Sequence, residues 1–286
     1  MTWPLSPDRF ALAWARVHGD RVPYPLAVRT TARDAAERAR QRPALEAWFA
    51  SAPAELRTAL AVLAAPELRL EADGWTAQGA AAGAGAQPAP EVGAISPETL
   101  ARQPVSPGPA VSAPVLPPVA ERRAVRVLAA VAGDTAALAV QEPGTLPDRG
   151  GDVLVRLGST KGLAAALFAH LPAVRPGAGP ALSAPLDRVR EDSRDLVTMP
   201  VAGPGQATRI RALLNRPRTG VGQITVAPGA AGPVCGVLCW LDIAGDGRYL
   251  VHTRADVDIV PATPAATVDR LRPLLGAAAA GARVSR

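Results

Sequence analysis

A chain of 286 residues that is 48% hydrophobic is long enough to bury a large core, and its formal charge of +6 makes it basic. Lys161 is the only lysine, so arginine carries nearly all of the positive charge, scattered along the chain instead of gathered into a nucleic-acid-binding stripe. The longest strongly apolar stretch, Val234 to Ile243, is too short to cross a bilayer, which needs about 20 residues as helix.

Asp8 and Arg9 arrive early and Arg16 breaks the run from Phe10 to Val17, which excludes a signal peptide and leads to the expectation of a soluble cytoplasmic protein. Ser6 is placed to cap a first helix over Pro7 to Val17, with Phe10, Trp14 and Val17 at helical spacing. The prolines in Val22 to Leu26 force an extended segment, because proline excludes its predecessor from the helical region. Ala32 to Phe49 predicts a second helix, bent near Pro43 and closing as a helical hairpin on Ala54 to Leu63, so that the N-terminal helices form one bundle. Arg38, Arg40 and Arg42 on that second helix alternate with other residues and read as a solvated face. A strand follows over Leu68 to Gly74. From Thr76 to Val119 the composition turns to Ala, Gly and Pro with few large apolar groups, which predicts a flexible insertion.

Beyond it the chain repeats itself. RAVRVLAAVAGDTAALAVQ (Arg123 to Gln141) and CGVLCWLDIAGDGRYLVHT (Cys235 to Thr253) both read apolar run, AlaGlyAsp turn, apolar run, which is a hairpin pattern because Gly supplies the positive φ of a tight turn. Each is followed by a short strand (Val153 to Arg156; Val257 to Val260). Ser159 or Thr263 then stands at a helix N-cap position, ahead of Leu163, Leu167, Phe168 and Leu171 or Val268, Leu271, Leu274 and Leu275. Upstream, helices over Ala54 to Pro66 and Gln206 to Pro217 are each stopped by proline before a strand, the second strand being Gly222 to Ala227. A linker over Pro172 to Gly205 holds a short helix near Leu186 to Asp195. The expectation is a single α+β domain over residues 1–286 with half-repeats about 54–171 and 206–280, related by a pseudo-two-fold.

No catalytic constellation is present. GxxxxGK, GxGxxG, GxSxG and HExxH are all missing, and GlySerThrLys at Gly158 to Lys161 is too short for a phosphate loop. Cys235 and Cys239 would face one side of a strand about 13 Å apart at about 3.3 Å per residue, beyond disulfide reach, and read as reduced, packed thiols. With His18, His170 and His252 they form no zinc spacing. Asp242, Asp246, Asp256 and Asp258 read as turn and edge carboxylates and not as a cation site. No cofactor and no metal is expected.

Several segments resemble the EspG family, cytosolic chaperones associated with ESX (type VII) secretion in actinobacteria. The resemblance is carried by ThrGlyValGlyGlnIleThrVal at Thr219 to Val226 and TrpLeuAspIleAlaGlyAspGlyArgTyrLeuVal at Trp240 to Val251, supported by ProTyrProLeu at Pro23 to Leu26. It implies an α+β fold with a central antiparallel β-sheet flanked by N-terminal and C-terminal helical bundles. It also implies a function without turnover: holding PE/PPE secretion substrates soluble before export, with the tip of the PPE helical hairpin on the sheet and the C-terminal bundle. Neither nucleic acid nor membrane insertion belongs to this reading; an arginine-rich nucleic-acid-binding protein is the alternative from another class.

If Gly245 and Asp246 form the turn, one face of the second hairpin carries Val237, Cys239, Leu241, Ile243 and Leu250, and the other Leu238, Trp240, Asp242, Tyr249 and Val251. In the first hairpin the same rule sets Val125, Val127, Ala129, Val131, Leu138 and Val140 against Arg126, Leu128, Ala130, Ala137, Ala139 and Gln141. The first set reads as core. The second supplies the candidate partner-binding residues Leu238, Trp240, Tyr249, Val251, Arg126 and Leu128, since Trp, Tyr and Arg are the usual anchors of an interface. Two readings of Trp240 and Tyr249 stay open, docking or packing under a helix of their own lobe. Arg248 is expected to pair with Asp242 or Asp246 and fix the hairpin.

Overall fold

The two AlaGlyAsp turns differ by one residue. In the computed structural model, which describes residues 1–18, 21–77, 116–118, 121–146, 149–191 and 205–284, β3 (Arg122–Ala132) and β4 (Thr135–Gln141) are joined by Gly133 and Asp134 alone. Between β8 (Gly236–Ile243) and β9 (Gly247–Thr253) stand three residues, Ala244, Gly245 and Asp246, and Ile243 pairs with Gly247. Gly133 (φ 57) and Gly245 (φ 71) take the left-handed conformation that each turn needs.

The extra residue shifts the second register by one. Trp240 lies beside Leu250 and Asp242 beside Arg248, whereas Leu241 lies beside Tyr249 and Cys239 beside Val251. The sequence expectation is therefore corrected for β9: Tyr249 and Val251 share the face of Leu241, and Leu250 shares that of Trp240. In the first hairpin the expected faces hold, with Arg126 opposite Gln141, Leu128 opposite Ala139 and Ala129 opposite Leu138.

All strands of the described residues join one antiparallel sheet. At its centre β2 (Leu68–Ala77) pairs with β7 (Arg218–Pro228). The remaining strands are β1 (Thr2–Leu5), β5 (Val153–Ser159), β6 (Leu182–Pro185) and β10 (Asp256–Pro261), giving the order β1-β5-β4-β3-β2-β7-β8-β9-β10-β6 over ten strands. β1 and β6 carry no sequence signal of their own. Each is four residues long, contains a proline and sits at an outer edge, where a missing N–H costs the ladder little. β2 runs to Ala77, so Thr76 and Ala77 belong to the sheet; residues 78–115 and 119 of the expected insertion lie outside the described residues.

Helices cover both faces. One face carries α4 (Leu163–Ala169) and α7 (Pro264–Val284), which seal a core of Leu70, Val127, Ile224, Leu238, Trp240 and Leu250. On the other face α1 (Pro7–Val17) and α3 (Ala54–Ala64) close over Leu128, Ala130, Ala139 and Val155. Further along that face α5 (Leu186–Arg190) and α6 (Gln206–Leu214) belong with Ile210, Leu241, Ile243, Tyr249 and Ile259. Ser6 caps α1 by accepting from the Arg9 N–H at 3.3 Å, as its sequence position indicates. Ser159 does not cap α4: a 3-10 turn over Thr160–Gly162 comes first. The second helix, α2 (Ala35–Ala50), passes through Pro43, has no fully buried residue, and packs on α1 with an Arg16–Glu46 ion pair. It does not lie along α3, which corrects the expected helical hairpin; α2 reaches the core through Trp48 and Phe49 near its end.

Candidate partner-binding surface

The segments that carry the family resemblance interlock. Asp242 and Arg248 face each other across the second hairpin, with Arg248 Nε to Asp242 Oδ1 at 2.6 Å and Nη2 to Oδ2 at 2.9 Å, both side chains fully enclosed. A buried charge persists only when paired and hydrogen-bonded, and this bidentate geometry supplies both. Two glycines of ThrGlyValGlyGln make room beside it. A Cβ on Gly220 would stand 2.5 Å from Asp242 Oδ2, and one on Gly222 would stand 2.1 Å from the Trp240 ring. The benzene edge of the indole thus lies against Gly222 and its neighbour Gly74, with the Arg248 guanidinium carbon 6.0 Å from the ring centroid.

Asp246 and Tyr249 do the same work at the turn. Asp246 accepts from the Ala178 N–H at 2.8 Å, from Arg216 and from the Tyr249 hydroxyl, and the Tyr249 oxygen accepts from the Gly179 N–H at 2.8 Å. Partial burial acts to raise the Asp246 carboxyl pKa, but these donors hold it below the usual carboxylate value. Gly177 lies against the Tyr249 ring, where a Cβ would meet it at 2.1 Å. The loop through Arg175 to Gly179 is thereby fastened to the hairpin. Asp258 pairs with Arg270 at 3.3 Å. Among the described residues no three His, Cys, Asp or Glu side chains are grouped to hold a metal ion. Cys239 is partly buried, but Cys235 precedes the strand and is exposed, which corrects the reading of both as packed thiols.

Five of the six residues singled out from the sequence are interior. Leu128, Leu238, Trp240 and Tyr249 are at most 1% exposed and Val251 is 8% exposed; Arg126 alone is half-buried. They are also divided between faces. Leu238 and Trp240 lie under α7, while Leu128, Tyr249 and Val251 lie in the cores on the opposite side. The expected wet docking face is corrected accordingly: helices cover both faces of each hairpin. Arg38, Arg40 and Arg42 are exposed on α2, and Arg42 pairs with Glu46.

An open cleft lies elsewhere. Thr263 caps α7 by accepting from the Ala266 N–H at 3.0 Å, and Leu271, Leu274 and Ala278 then point into the core. The shoulder beside them carries Leu275, which packs against the core, and the small residues Gly276, Ala279 and Ala282. Between this shoulder and Leu68, Val131 and Leu163 runs a largely apolar cleft of about 650 Å³, with Glu67 and Thr160 as polar groups along it. Nothing lies within 4 Å of a Cβ built on Gly276. Sequence reasoning placed Leu163 and Leu275 in helices but missed the cleft; the signal was the small-residue run after Leu275.

The model of the EspG family matches residues 98–273, well over half of the chain, from the approach to β3 into the first half of α7. The chain belongs to the EspG family. No curated protein gives a match. Every member of the Trp240, Asp242, Asp246, Arg248 and Tyr249 cluster, and both glycines Gly220 and Gly222, fall inside the EspG match. EspG proteins are ESX secretion-associated chaperones and not an enzyme family. No helix of the described residues is long and apolar enough to cross a membrane.

Proposed function

We propose that this EspG chain is a cytoplasmic chaperone for PE/PPE-type substrates of an ESX system. Its cleft between α7, α4 and the end of the sheet takes the apolar tip of the substrate's helical hairpin. The observation that carries the reading is an apolar, unfilled cleft lying between the sheet and the C-terminal helices of a chain that belongs to this family. An apolar tip buried there is withdrawn from water and from other copies of itself, at about 25 cal/mol per Å² of apolar surface covered. No chemistry is required, and the charged groups of the hairpin signature are already engaged with one another.

The strand order supports the further reading of a duplicated half. Outward from the centre one half runs β2, β3, β4, β5 and the other β7, β8, β9, β10, each closed by a short proline-bearing edge strand. We read α4 and α7 as the equivalent helices of the two halves, packed together on one side.

Co-expression with a PPE-type protein and its PE partner tests the function. The wild-type chain is expected to keep the substrate in the soluble fraction and to co-purify with it. Ala279→Arg, which places a charge on the half-buried wall of the cleft, is expected to abolish co-purification while leaving the melting temperature within a few degrees. A substrate equally soluble without the chaperone, or an Ala279→Arg variant that still binds, would sink the proposal.

A further inference from the structure

β3 is longer than the strand on its outer side. β2 pairs with it from Arg122 to Val131, but β4 reaches it only from Arg126 onward. Past Gln141 no residue pairs with β3, and Glu142 bonds only on its other side, donating its N–H to the Asp152 carbonyl at 2.9 Å and accepting from the Gly151 N–H at 2.8 Å. Along Arg122 to Val125, then, one edge of β3 has no strand beside it among the described residues. An open strand edge is a template for another strand, because its N–H and C=O groups are aimed at empty register positions.

The slot beside that edge is shaped and charged. It has a volume of about 350 Å³, and its walls include Thr76, Arg123, Val125, Val140, Ala169 and His170. Thr76 and Arg123 are register partners on β2 and β3 and so share a face. Thr76 is only 7% exposed, and its Oγ1 is buried with no hydrogen-bond partner. Such a group costs free energy unless a ligand completes it. Arg123 is exposed and has no carboxylate partner among the described residues. At the same mouth Arg156 Nη1 donates to His170 Nε2 at 2.9 Å, which leaves the ring Nδ1 as a further donor. Glu142 is the one acidic residue along its walls.

We propose that this edge binds an extended acidic peptide segment of a partner protein as an added β-strand, with one carboxylate seated at Thr76 Oγ1 and Arg123. The open edge is four residues long, which at about 3.3 Å per residue takes a segment of about four residues. The side chain two positions from the carboxylate meets Val125, Val140 and Ala169 and is apolar. This site is separate from the α7 cleft, and its test needs no secretion substrate.

The probe is a fluorescein-labelled hexapeptide alternating valine and glutamate, followed by fluorescence anisotropy and by hydrogen exchange of the backbone amides. Binding is expected, with added protection of the amides within Arg122 to Val125. Arg123→Glu is expected to weaken it at least tenfold at an unchanged melting temperature. Thr76→Val, which removes only the unpartnered hydroxyl, is expected to weaken binding several-fold while leaving the protein as stable or more so. Replacing the glutamates by lysine, or the central valine by proline, is expected to cost at least tenfold. The proposal is overturned by no binding of the acidic peptide at millimolar concentration, by indifference to Arg123→Glu, or by equal binding of the lysine peptide. Equal binding of the proline peptide overturns it too, because charge alone would then suffice.

Discussion

A carboxylate removed from water must be matched by donors, and at Asp242 that match is Arg248 from the facing strand, with no third group needed. Removing one partner leaves the other charge buried and alone, so Asp242→Asn or Arg248→Met is expected to cost about 3–5 kcal/mol in urea unfolding. The double variant Asp242→Leu/Arg248→Met is expected to recover much of that loss, since neither charge is stranded. A double variant as unstable as the two singles combined would show that the pair is not what the site requires. The same enclosure changes the meaning of Trp240: truncating it opens a cavity in the core under α7, a lesion of stability first. The two tyrosines give a pH reading. Burial, then Asp73 through its hydrogen bond and charge, pushes Tyr24 up to about 12; burial and Asp246 raise Tyr249 as well. Both phenols are thus held neutral above their ordinary range, and for Tyr24 the stability present below about pH 10 is lost as pH climbs from there toward about 12. Near-ultraviolet titration of the native protein is expected to show no tyrosinate forming near pH 10, and Tyr24→Phe to remove the component near 12. A phenol ionising at its ordinary value in the wild type would contradict the environment described for it.

At the level of elements, the long periodic segments were legible and the exceptions have physical causes. Ser6, the Pro7 start and the Phe10, Trp14 spacing were enough to delimit α1, and alternation around Gly133 was enough to assign both faces of the first hairpin. The second hairpin misled because AlaGlyAsp reads alike in a two-residue and a three-residue turn, and only the pairing of Ile243 with Gly247 tells them apart. That one residue moved Tyr249 and Val251 to the opposite face. The binding surface was less legible still, for a reason visible in Gly220 and Gly222: the segments that identify the family are those whose side chains lock the interior, so resemblance marked the core. The α7 wall of the cleft is built mostly of small residues, Gly276, Ala279 and Ala282, that leave no such mark. One of them offers an element-scale test. Gly276 lies within α7, and a Cβ there would touch nothing within 4 Å. Gly276→Ala is expected to stabilise the protein by about 0.5–1 kcal/mol in denaturant, because alanine loses less backbone freedom in a helix, and to retain substrate binding. Gly276→Trp is expected to fill the cleft and block it. A destabilised Gly276→Ala would mean that the position is held in a conformation other than plain helix.

Across the molecule, the sheet has no seam at which the halves could part. Its central pair, β2 with β7, is in register from Leu68 opposite Pro228 to Thr76 opposite Gly220, as long a run as nearly any neighbouring pair makes. Leu70, Ala72, Ile224 and Val226 from both strands lie in one core with α4 from the first half and α7 from the second. The edge strands bind the arrangement further, since β6 comes from the segment between the halves and pairs with β10 near the end of the chain. Cooperative units follow shared cores and not stretches of sequence, so one unfolding transition is expected for the whole sheet. The tryptophans make this measurable: Trp3, Trp14, Trp48 and Trp75 precede β3, while Trp240 is alone in the second half. Fluorescence therefore reports chiefly the first half, and far-ultraviolet circular dichroism reports both. Their urea transitions are expected to coincide, and a variant keeping only Trp240 with the other four changed to phenylalanine is expected to give equal fluorescence and dichroism midpoints. Midpoints separated by more than experimental error in either protein would mean that β2 and β7 part before the halves unfold, and the continuous sheet would then be two bodies in contact.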